Sequence, residues 1–111
     1  MTNGNQKGKR GEREAARALT AALGCSARRG QQFCGGGDSP DVVTDIKGMH
    51  VEVKRVERFS LYDAMAQARA DAGDQVPVVI HRRNNQEWVA VVLVADLQRL
   101  ADLLADRKDE V

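Results

Sequence analysis

The residues of this chain that could do chemistry are two carboxylates and a lysine, in the motifs Pro40-Asp41 and Glu52-Val53-Lys54. Two carboxylates and a nearby ammonium group can bind a hard divalent cation such as Mg²⁺ and place a fixed positive charge beside it. Such a centre hydrolyses phosphodiesters, because the cation offsets the repulsion between the anionic ester and an attacking hydroxide. The same spacing also fits an exposed hairpin face whose charges pair with each other, and spacing alone leaves both interpretations open.

The elements that must position these side chains are two strands of a hairpin. Residues 42–46 (VVTDI) and 49–53 (MHVEV) are rich in β-branched and apolar residues, which is typical of strands. Lys47-Gly48 lies between them and predicts a two-residue turn. The sequence therefore predicts an antiparallel hairpin whose register is set by this turn.

The register of the hairpin decides whether the charged residues meet. With a two-residue turn, Val43 faces Glu52, and Asp41 faces Lys54. Because side chains alternate along a strand and facing residues share a face, Asp41, Glu52 and Lys54 are expected on one face. One additional residue in the turn would reverse this parity, so the prediction depends on the turn. His50 shares the face of Glu52; a surface histidine is the favoured interpretation, and a supporting role beside the cation is the alternative.

The remaining patterns complete an α/β chain. Helix, three strands, helix, two strands and helix follow one another, which is the order of an α/β sheet with helices on its faces. Residues 91–94 are continuously apolar, which indicates a central strand or one covered by a partner subunit. The predicted helices cover residues 8–23, 61–72 and 96–105, and the strands outside the hairpin cover residues 25–29, 76–81 and 87–94.

Length and composition predict one domain. The chain has 111 residues, of which 42% are hydrophobic and 30% charged, as is usual for a globular protein with a single core. We expect residues 1–6 to be disordered, residues 7–105 to form the domain and residues 106–111 to be a charged tail. The apolar runs are too short to span a membrane and no N-terminal signal is present, which predicts a cytoplasmic location. Cys25 and Cys34 fit no metal-binding spacing and are expected to be reduced thiols.

Charge is unevenly distributed along the chain. Residues 1–30 carry seven bases and two acids, a net charge of +5, whereas residues 31–111 carry ten bases and fourteen acids, a net charge of −4. A basic segment on a near-neutral protein indicates a polyanionic partner, with a solubilising function as the alternative. In the same segment, Glu12 lies on or beside the helix face of Ala15 and Leu19. This position predicts either an ion-paired rim residue or a carboxylate directed at the site.

Three motifs follow one another in this chain: residues 7–14 (KGKRGERE), residues 40–43 (PDVV) and residues 52–54 (EVK). Together they resemble the motifs of archaeal-type Holliday junction resolvases, a branch of the PD-(D/E)xK nuclease superfamily. In that family a K-G-x-x-x-E-R pattern on the first helix supplies a glutamate that completes the active site, and Glu12 matches it. The resemblance covers roughly residues 7–94 and implies a restriction-endonuclease-like core, with a central mixed five-stranded sheet flanked by helices.

The resemblance also implies a role for each motif residue. Asp41 and Glu52 would bind Mg²⁺, or Mn²⁺ in its place, together with the backbone carbonyl of Val53. Lys54 would act on the attacking water or the phosphate, and Glu12 would complete the site as a possible further metal ligand. A glutamine of related nucleases is loosely matched by Gln67, for which a surface position is the alternative. The residues expected to contact DNA are Lys7, Lys9, Arg10, Arg13, Arg28, Arg29 and Ser39.

The implied function is a metal-dependent endonuclease that resolves branched DNA by symmetric cleavage, and the minimal size of the chain indicates that a phage or mobile element encodes it. Two alternatives remain open: a PD-(D/E)xK nuclease with another DNA substrate, such as a nickase or a restriction-like enzyme, and a DNA-binding module without catalysis. Two symmetric cuts need two sites, so a homodimer is expected, with a monomer as the alternative. Part of the apolar C-terminal surface is expected to form the dimer interface. This surface comprises Trp88, Val89, residues 91–94, Leu97, Leu100 and Leu104.

Overall fold

The structure, a computed structural model, describes residues 4–30 and 40–109 as an α/β domain with a five-stranded sheet and three α-helices. Within the described part, the α/β class and the numbers of strands and helices agree with the sequence prediction. In chain order the elements are α1 (Gly4–Leu23), β1 (Ala27–Arg29), β2 (Val42–Thr44), β3 (Met49–Arg55), α2 (Leu61–Ala72), β4 (Val76–Arg82), β5 (Val89–Val91), a 3₁₀ turn (Val94–Asp96) and α3 (Leu97–Asp109).

The sheet is mixed, and its strands lie side by side in chain order. Neighbouring strands are antiparallel except β3 and β4, which are parallel. A parallel pair needs a crossover connection, and α2 provides it. The strand that carries the E-x-K residues, β3, is therefore the central strand of the sheet.

Different helices cover the two faces of the sheet. On one face, α1 buries Ala15 in a core cluster that includes Val51. On the other face, α2 buries Ala68 against Val79. In the parallel register of β3 and β4, Glu52 lies beside Val79. Because neighbouring residues of a strand point to opposite faces, Glu52 belongs to the face that α2 covers.

The turn between β2 and β3 is longer than predicted. Residues 45–48 form the turn, and Val42 faces Val51 across the two strands. The hydroxyl of Thr44 accepts a hydrogen bond from the backbone N–H of Ile46 at 3.1 Å. Ile46 is also buried, with 3% of its surface exposed. This local hydrogen bond and the burial of Ile46 turn the chain away from β3 after Thr44. With a tight turn at residues 47–48, the strand would have continued for two more residues.

The longer turn shifts the register of the hairpin by two residues. The predicted facing pairs, Val43 with Glu52 and Asp41 with Lys54, are therefore wrong. A shift of two residues retains the parity on which the prediction depended, so Asp41 stays on the face of the hairpin that carries Glu52 and Lys54. Asp41 meets Glu52, to which it is hydrogen-bonded, rather than Lys54.

Several element boundaries also differ from the sequence prediction. α1 begins at Gly4, so residues 4–6 are helical where disorder was expected. β5 is a three-residue strand at the edge of the sheet, so of the two alternatives for residues 91–94, a central strand or one covered by a partner subunit, the central strand is wrong. α3 extends to Asp109, into the expected tail. Among the described residues, no helix is long and apolar enough to cross a membrane.

Candidate active site

Asp41 is held against the central strand by hydrogen bonds to the backbone of β3. It lies immediately before β2, where its N–H donates to the carbonyl oxygen of Val51 at 2.9 Å. Its carboxylate oxygen Oδ2 accepts a hydrogen bond from the N–H of Val53 at 2.8 Å. The N–H and C=O of a strand residue point to the same side, so the Val53 carbonyl faces the side of β3 where the Asp41 carboxylate lies. Two of the three expected metal ligands therefore lie on one side of the central strand.

Gly30 allows the chain to pass close to Asp41 on its other side. The N–H of Gly30 donates to the carbonyl oxygen of Asp41 at 2.8 Å. A Cβ atom at position 30 would overlap the carbonyl oxygen of Pro40, so a larger residue does not fit without a backbone movement. Sequence reasoning missed this role of Gly30, because the close approach is between segments that the sequence alone does not bring together.

Glu52 is the second carboxylate of the site. Its side chain is largely buried, with 14% of its surface exposed. Burial, followed by the hydrogen bond and the charge of Asp41, raises the pKa of Glu52 to about 8. The charge of Asp71 in α2 adds to this increase, and the charge of Lys54 opposes it. Two carboxylates in one half-buried site compete for a proton, whereas a bound cation would allow both to ionise.

His50 contacts Glu52 from the interior of the protein. Its Nε2 atom lies 2.8 Å from Oε1 of Glu52, and only 1% of the His50 surface is exposed. The favoured interpretation of His50 as a surface histidine is therefore wrong. Strand alternation correctly put His50 on the face of Glu52, but the sequence did not show that this face is covered.

Glu12 reaches the site from α1. Its Oε2 atom accepts a hydrogen bond from Nε of Arg29 at 2.8 Å. Burial, followed by the charge of Asp41, raises the pKa of Glu12, and the charge of Arg29 opposes this effect. The ion pair with Arg29 matches the interpretation of Glu12 as a rim residue paired with an arginine, and the influence of the Asp41 charge shows that the same carboxylate also lies near Asp41. Arg29, which was expected to contact DNA, is paired with Glu12.

Gly11 allows α1 to lie close to β3 beside this site. Gly11 is buried, and a Cβ atom at this position would lie 2.7 Å from Cβ of Arg55. Arg55 in turn forms a 3.8 Å ion pair with Glu14 of α1. Because Gly11 directly precedes Glu12, the close contact between α1 and β3 sets the position of the Glu12 carboxylate.

Two residues of α2 differ in their relation to this site. Gln67 is exposed, and no hydrogen bond joins it to the site among the described residues, which agrees with the surface alternative. Asp71, one turn further along α2, is the residue whose charge reaches Glu52. Sequence reasoning missed Asp71, although its position four residues after Gln67 puts both on one side of the helix. We refer to Glu12, Asp41, Glu52 and Asp71 as the acidic cluster.

The oxygen atoms of Asp41, Glu52 and Val53 form a donor set of the kind that Mg²⁺ prefers. Mg²⁺ takes oxygen ligands, keeps several waters and is commonly bound by only one or two carboxylates. In the described ranges, no group of three or more His, Cys, Asp and Glu side chains is arranged to hold a metal ion. Glu12 is engaged by Arg29. Asp41, Glu52 and the Val53 carbonyl could therefore hold such an ion only with water as its remaining ligands.

Basic side chains form a groove on α1, which we call the basic groove. It has a volume of about 540 Å³ and is lined by Lys9, Arg10, Arg13 and Arg17. Lys9, Arg13 and Arg17 are spaced four residues apart and so lie on one side of the helix. The charge of Lys9 partly opposes the increase in the pKa of Glu12, which shows that the groove begins beside the acidic cluster. Arg17 lines this groove, although it was not among the residues expected to contact DNA.

The remaining residues expected to contact DNA are only partly described. Arg28 is exposed on β1. Ser39 and the side chain of Lys7 lie outside the described residues, as does Cys34. Cys25 is buried, and its thiol donates a hydrogen bond to the carbonyl oxygen of Leu19 at 3.7 Å.

Comparisons with known proteins do not assign the chain to a family. It has no match among protein-family models, curated proteins or solved structures. Its function must therefore be inferred from the chemistry of its own residues, above all the acidic cluster and the basic groove.

Proposed function

We propose that this chain is a metal-dependent endonuclease that cuts branched DNA, as its resemblance to archaeal-type Holliday junction resolvases implies. The observation that carries the proposal is the carboxylate pair formed by Asp41 and Glu52. The pKa of Glu52 is raised to about 8, because its burial and the adjacent Asp41 both disfavour a second negative charge. A divalent cation bound by both groups would remove this cost, so the pair supports a cation site next to a basic surface.

In the proposed site, Asp41, Glu52 and the carbonyl of Val53 would hold Mg²⁺ or Mn²⁺. When bound there, the cation would supply positive charge that favours ionisation of a water and offsets the negative charge that develops on the phosphate. Lys54 lies on the face of Glu52 and places a positive charge next to the phosphate or the attacking water. Glu12 extends the acidic cluster from α1.

The basic groove supports DNA as the substrate. Arginine and lysine side chains one helical turn apart can neutralise successive phosphates of a nucleic-acid strand. None of its four side chains forms a salt bridge with an acid among the described residues, so their charges are available to a ligand. Because the groove begins beside Glu12, a strand bound along it would pass the carboxylate pair.

A homodimer would supply the two sites that symmetric cleavage requires. Val89, Val94 and Leu97 are 50%, 83% and 50% exposed, and exposed apolar side chains that form one patch mark interaction surfaces. They belong to the edge strand β5, the 3₁₀ turn and the start of α3, and we propose them as part of the dimer interface. Trp88 and Leu100, included in the expected apolar surface, instead pack against the core of their own chain. The distance between the two sites, rather than base contacts, would then select a junction.

The test of the proposed function is incubation of the protein with linear, nicked, flap and four-way DNA, in Mg²⁺ and in EDTA. Mg²⁺-dependent, paired cuts in the four-way substrate are expected. Preferential cleavage of linear or nicked DNA would favour a nuclease with another substrate. Binding without cleavage in either Mg²⁺ or Mn²⁺ would favour a non-catalytic module. Asp102→Asn, which changes an exposed carboxylate on α3, is the control for Asp41→Asn in the same assay.

A further inference from the structure

We propose that His50 is a positioning residue that fixes the orientation of the Glu52 carboxylate for cation binding. This inference rests on the proposed function and adds a residue that the resemblance to the resolvases does not supply. The observation is the 2.8 Å separation of His50 Nε2 and Glu52 Oε1, made by a histidine with only 1% of its surface exposed.

The direction of this hydrogen bond follows from the chemistry of the two groups. An ionised carboxylate only accepts hydrogen bonds, so with Glu52 ionised, as in a cation complex, Nε2 of His50 carries the hydrogen and donates it. Because His50 is buried, water cannot take the place of either partner, and the contact holds one carboxylate oxygen in a defined position. Residues that hydrogen-bond a metal-binding side chain in this way orient it and increase metal affinity.

The contact between His50 and Glu52 follows from the positions of the two residues on β3. Residues 50 and 52 are two apart on one strand, so their side chains lie next to each other on the same face. In the parallel ladder His50 lies beside Pro77 of β4, and α2 packs on this face. The histidine therefore lies on the face of the sheet that α2 covers. Asp41 is also hydrogen-bonded to Glu52, so two side chains hold the Glu52 carboxylate.

A histidine in this position could also serve only to fill the core. Two substitutions of nearly equal size and shape separate this alternative from a positioning role. His50→Gln retains an N–H donor at a reach similar to that of Nε2, whereas His50→Met removes the donor and keeps the volume. A packing role predicts similar behaviour for both variants, whereas a positioning role predicts that only the glutamine retains cation affinity.

The experiment measures Mn²⁺ binding by calorimetry, and the Mg²⁺ concentration that gives half-maximal DNA cleavage, for the wild type and both variants. We expect His50→Met to weaken Mn²⁺ binding about 10- to 100-fold and to raise the Mg²⁺ concentration for half-maximal cleavage by a similar factor. His50→Met should therefore cleave more slowly than the wild type at low Mg²⁺, and high Mg²⁺ should partly restore its rate. For His50→Gln, the Mn²⁺ affinity and the required Mg²⁺ concentration are expected to stay within about threefold of the wild-type values, because glutamine retains the N–H donor. Equal affinities in His50→Met and the wild type would overturn the inference.

A measurement on the unaltered chain covers the case in which His50→Met does not fold. The chain has two histidines, so His81 provides an internal control in nitrogen NMR spectra of the imidazole rings. The inference predicts a protonated Nε2 in His50 and a shift of its ring signals on addition of Mg²⁺, with little change in those of His81. Ring signals of His50 that do not respond to Mg²⁺ at concentrations that support cleavage would contradict it.

The outcomes also separate this inference from the proposed function. Cleavage by the wild type with unchanged Mg²⁺ dependence in His50→Met would retain the nuclease and reject the positioning role. Mn²⁺ binding without cleavage of any DNA would reject the nuclease, while the comparison of methionine and glutamine variants would still decide the role of His50. Absence of Mn²⁺ binding in the wild type would reject both.

Discussion

The Asp41 carboxylate is fixed to the central strand by the backbone N–H of Val53, which donates to Oδ2 at 2.8 Å. This hydrogen bond joins the P-D motif directly to the middle residue of the E-x-K motif. Together with the hydrogen bond from the N–H of Asp41 to the carbonyl oxygen of Val51, it keeps Asp41 beside β3 and brings its side chain next to Glu52. The two motifs therefore form one structural unit, whose geometry is set by the backbone of β3.

Gly11 and Gly8 provide a matched pair on α1. Gly8→Ala should stabilise the protein by about 0.5–1 kcal/mol, because nothing lies within 4 Å of the added methyl group and alanine favours helix. Gly11→Ala should destabilise it by about 1–3 kcal/mol, because the methyl group would meet Cβ of Arg55 at 2.7 Å. Denaturant unfolding measures both changes.

Of the two variants, only Gly11→Ala should cleave DNA more slowly, by about 10- to 100-fold, because the added methyl group moves α1 and with it Glu12. Similar effects of the two substitutions would contradict this account of α1.

Glu52 should make the stability of the metal-free protein depend on pH. Its pKa is raised from an ordinary 4.5 to about 8, so between these values the folded state keeps a proton that the unfolded state has released. The stability from this proton is fully present below about pH 4.5 and is lost as the pH rises toward 8. In EDTA, the Tm of the wild type should therefore fall relative to that of Glu52→Gln between about pH 6 and about pH 8.5. Mg²⁺ should raise the Tm of the wild type at the upper pH.

The control for this comparison is Glu87→Gln, which changes an exposed glutamate. Its Tm should follow that of the wild type at every pH, with and without Mg²⁺. A constant difference between the wild type and Glu52→Gln across the pH range would show that the pKa of Glu52 is not raised.

The basic groove should determine how DNA binding depends on salt. Replacing Lys9, Arg13 and Arg17 by alanine should reduce the slope of log affinity against log salt by about 0.9 for each phosphate that is no longer neutralised. Fluorescence anisotropy in Ca²⁺, without cleavage, measures this slope. Alanine at Arg69 and Arg83, which are exposed outside the groove, should leave it nearly unchanged. Equal slopes in the two variants would place the DNA-binding surface elsewhere on the protein.

The exposed apolar residues at β5 and α3 should determine the oligomeric state. At micromolar concentration the wild type is expected to sediment at twice the 12.1 kDa mass of one chain. Val94→Asp should give a monomer, since it puts a charge into the proposed interface at a side chain that is 83% exposed in one chain. Val56→Asp, at another exposed valine, should remain a dimer. A monomeric wild type, with or without junction DNA, would reject the dimer and the paired-cut mechanism.

Much of the fold could be predicted from local patterns. The order of elements followed from apolar periodicity and glycine positions, and the face shared by Glu52 and Lys54 followed from strand alternation. The register was wrong because one hydrogen bond, from the N–H of Ile46 to the hydroxyl of Thr44, lengthened the turn. Asp41 still shares the face of Glu52 and Lys54 because the error in the register was an even number of residues.

The features that sequence reasoning missed all depend on contacts between distant segments. The burial of His50 requires knowing that α2 covers its side of β3. Asp71 approaches Glu52 only because the same helix packs there. The need for glycine at position 30 arises from the return of the chain at Pro40, and Arg29 pairs with Glu12 across the gap between α1 and β1. None of these contacts has a local sequence signal.

The measurement that tests the central claim most directly is the rate of four-way junction cleavage by Asp41→Asn in Mg²⁺. Asparagine keeps the shape of the side chain and removes the charge that the cation site requires, so the rate should fall by about 100- to 1,000-fold or more. Junction binding and the thermal unfolding profile should be retained, and Asp102→Asn should cleave like the wild type. Cleavage by Asp41→Asn at a rate near that of the wild type would contradict the assignment of the carboxylate pair as the catalytic centre.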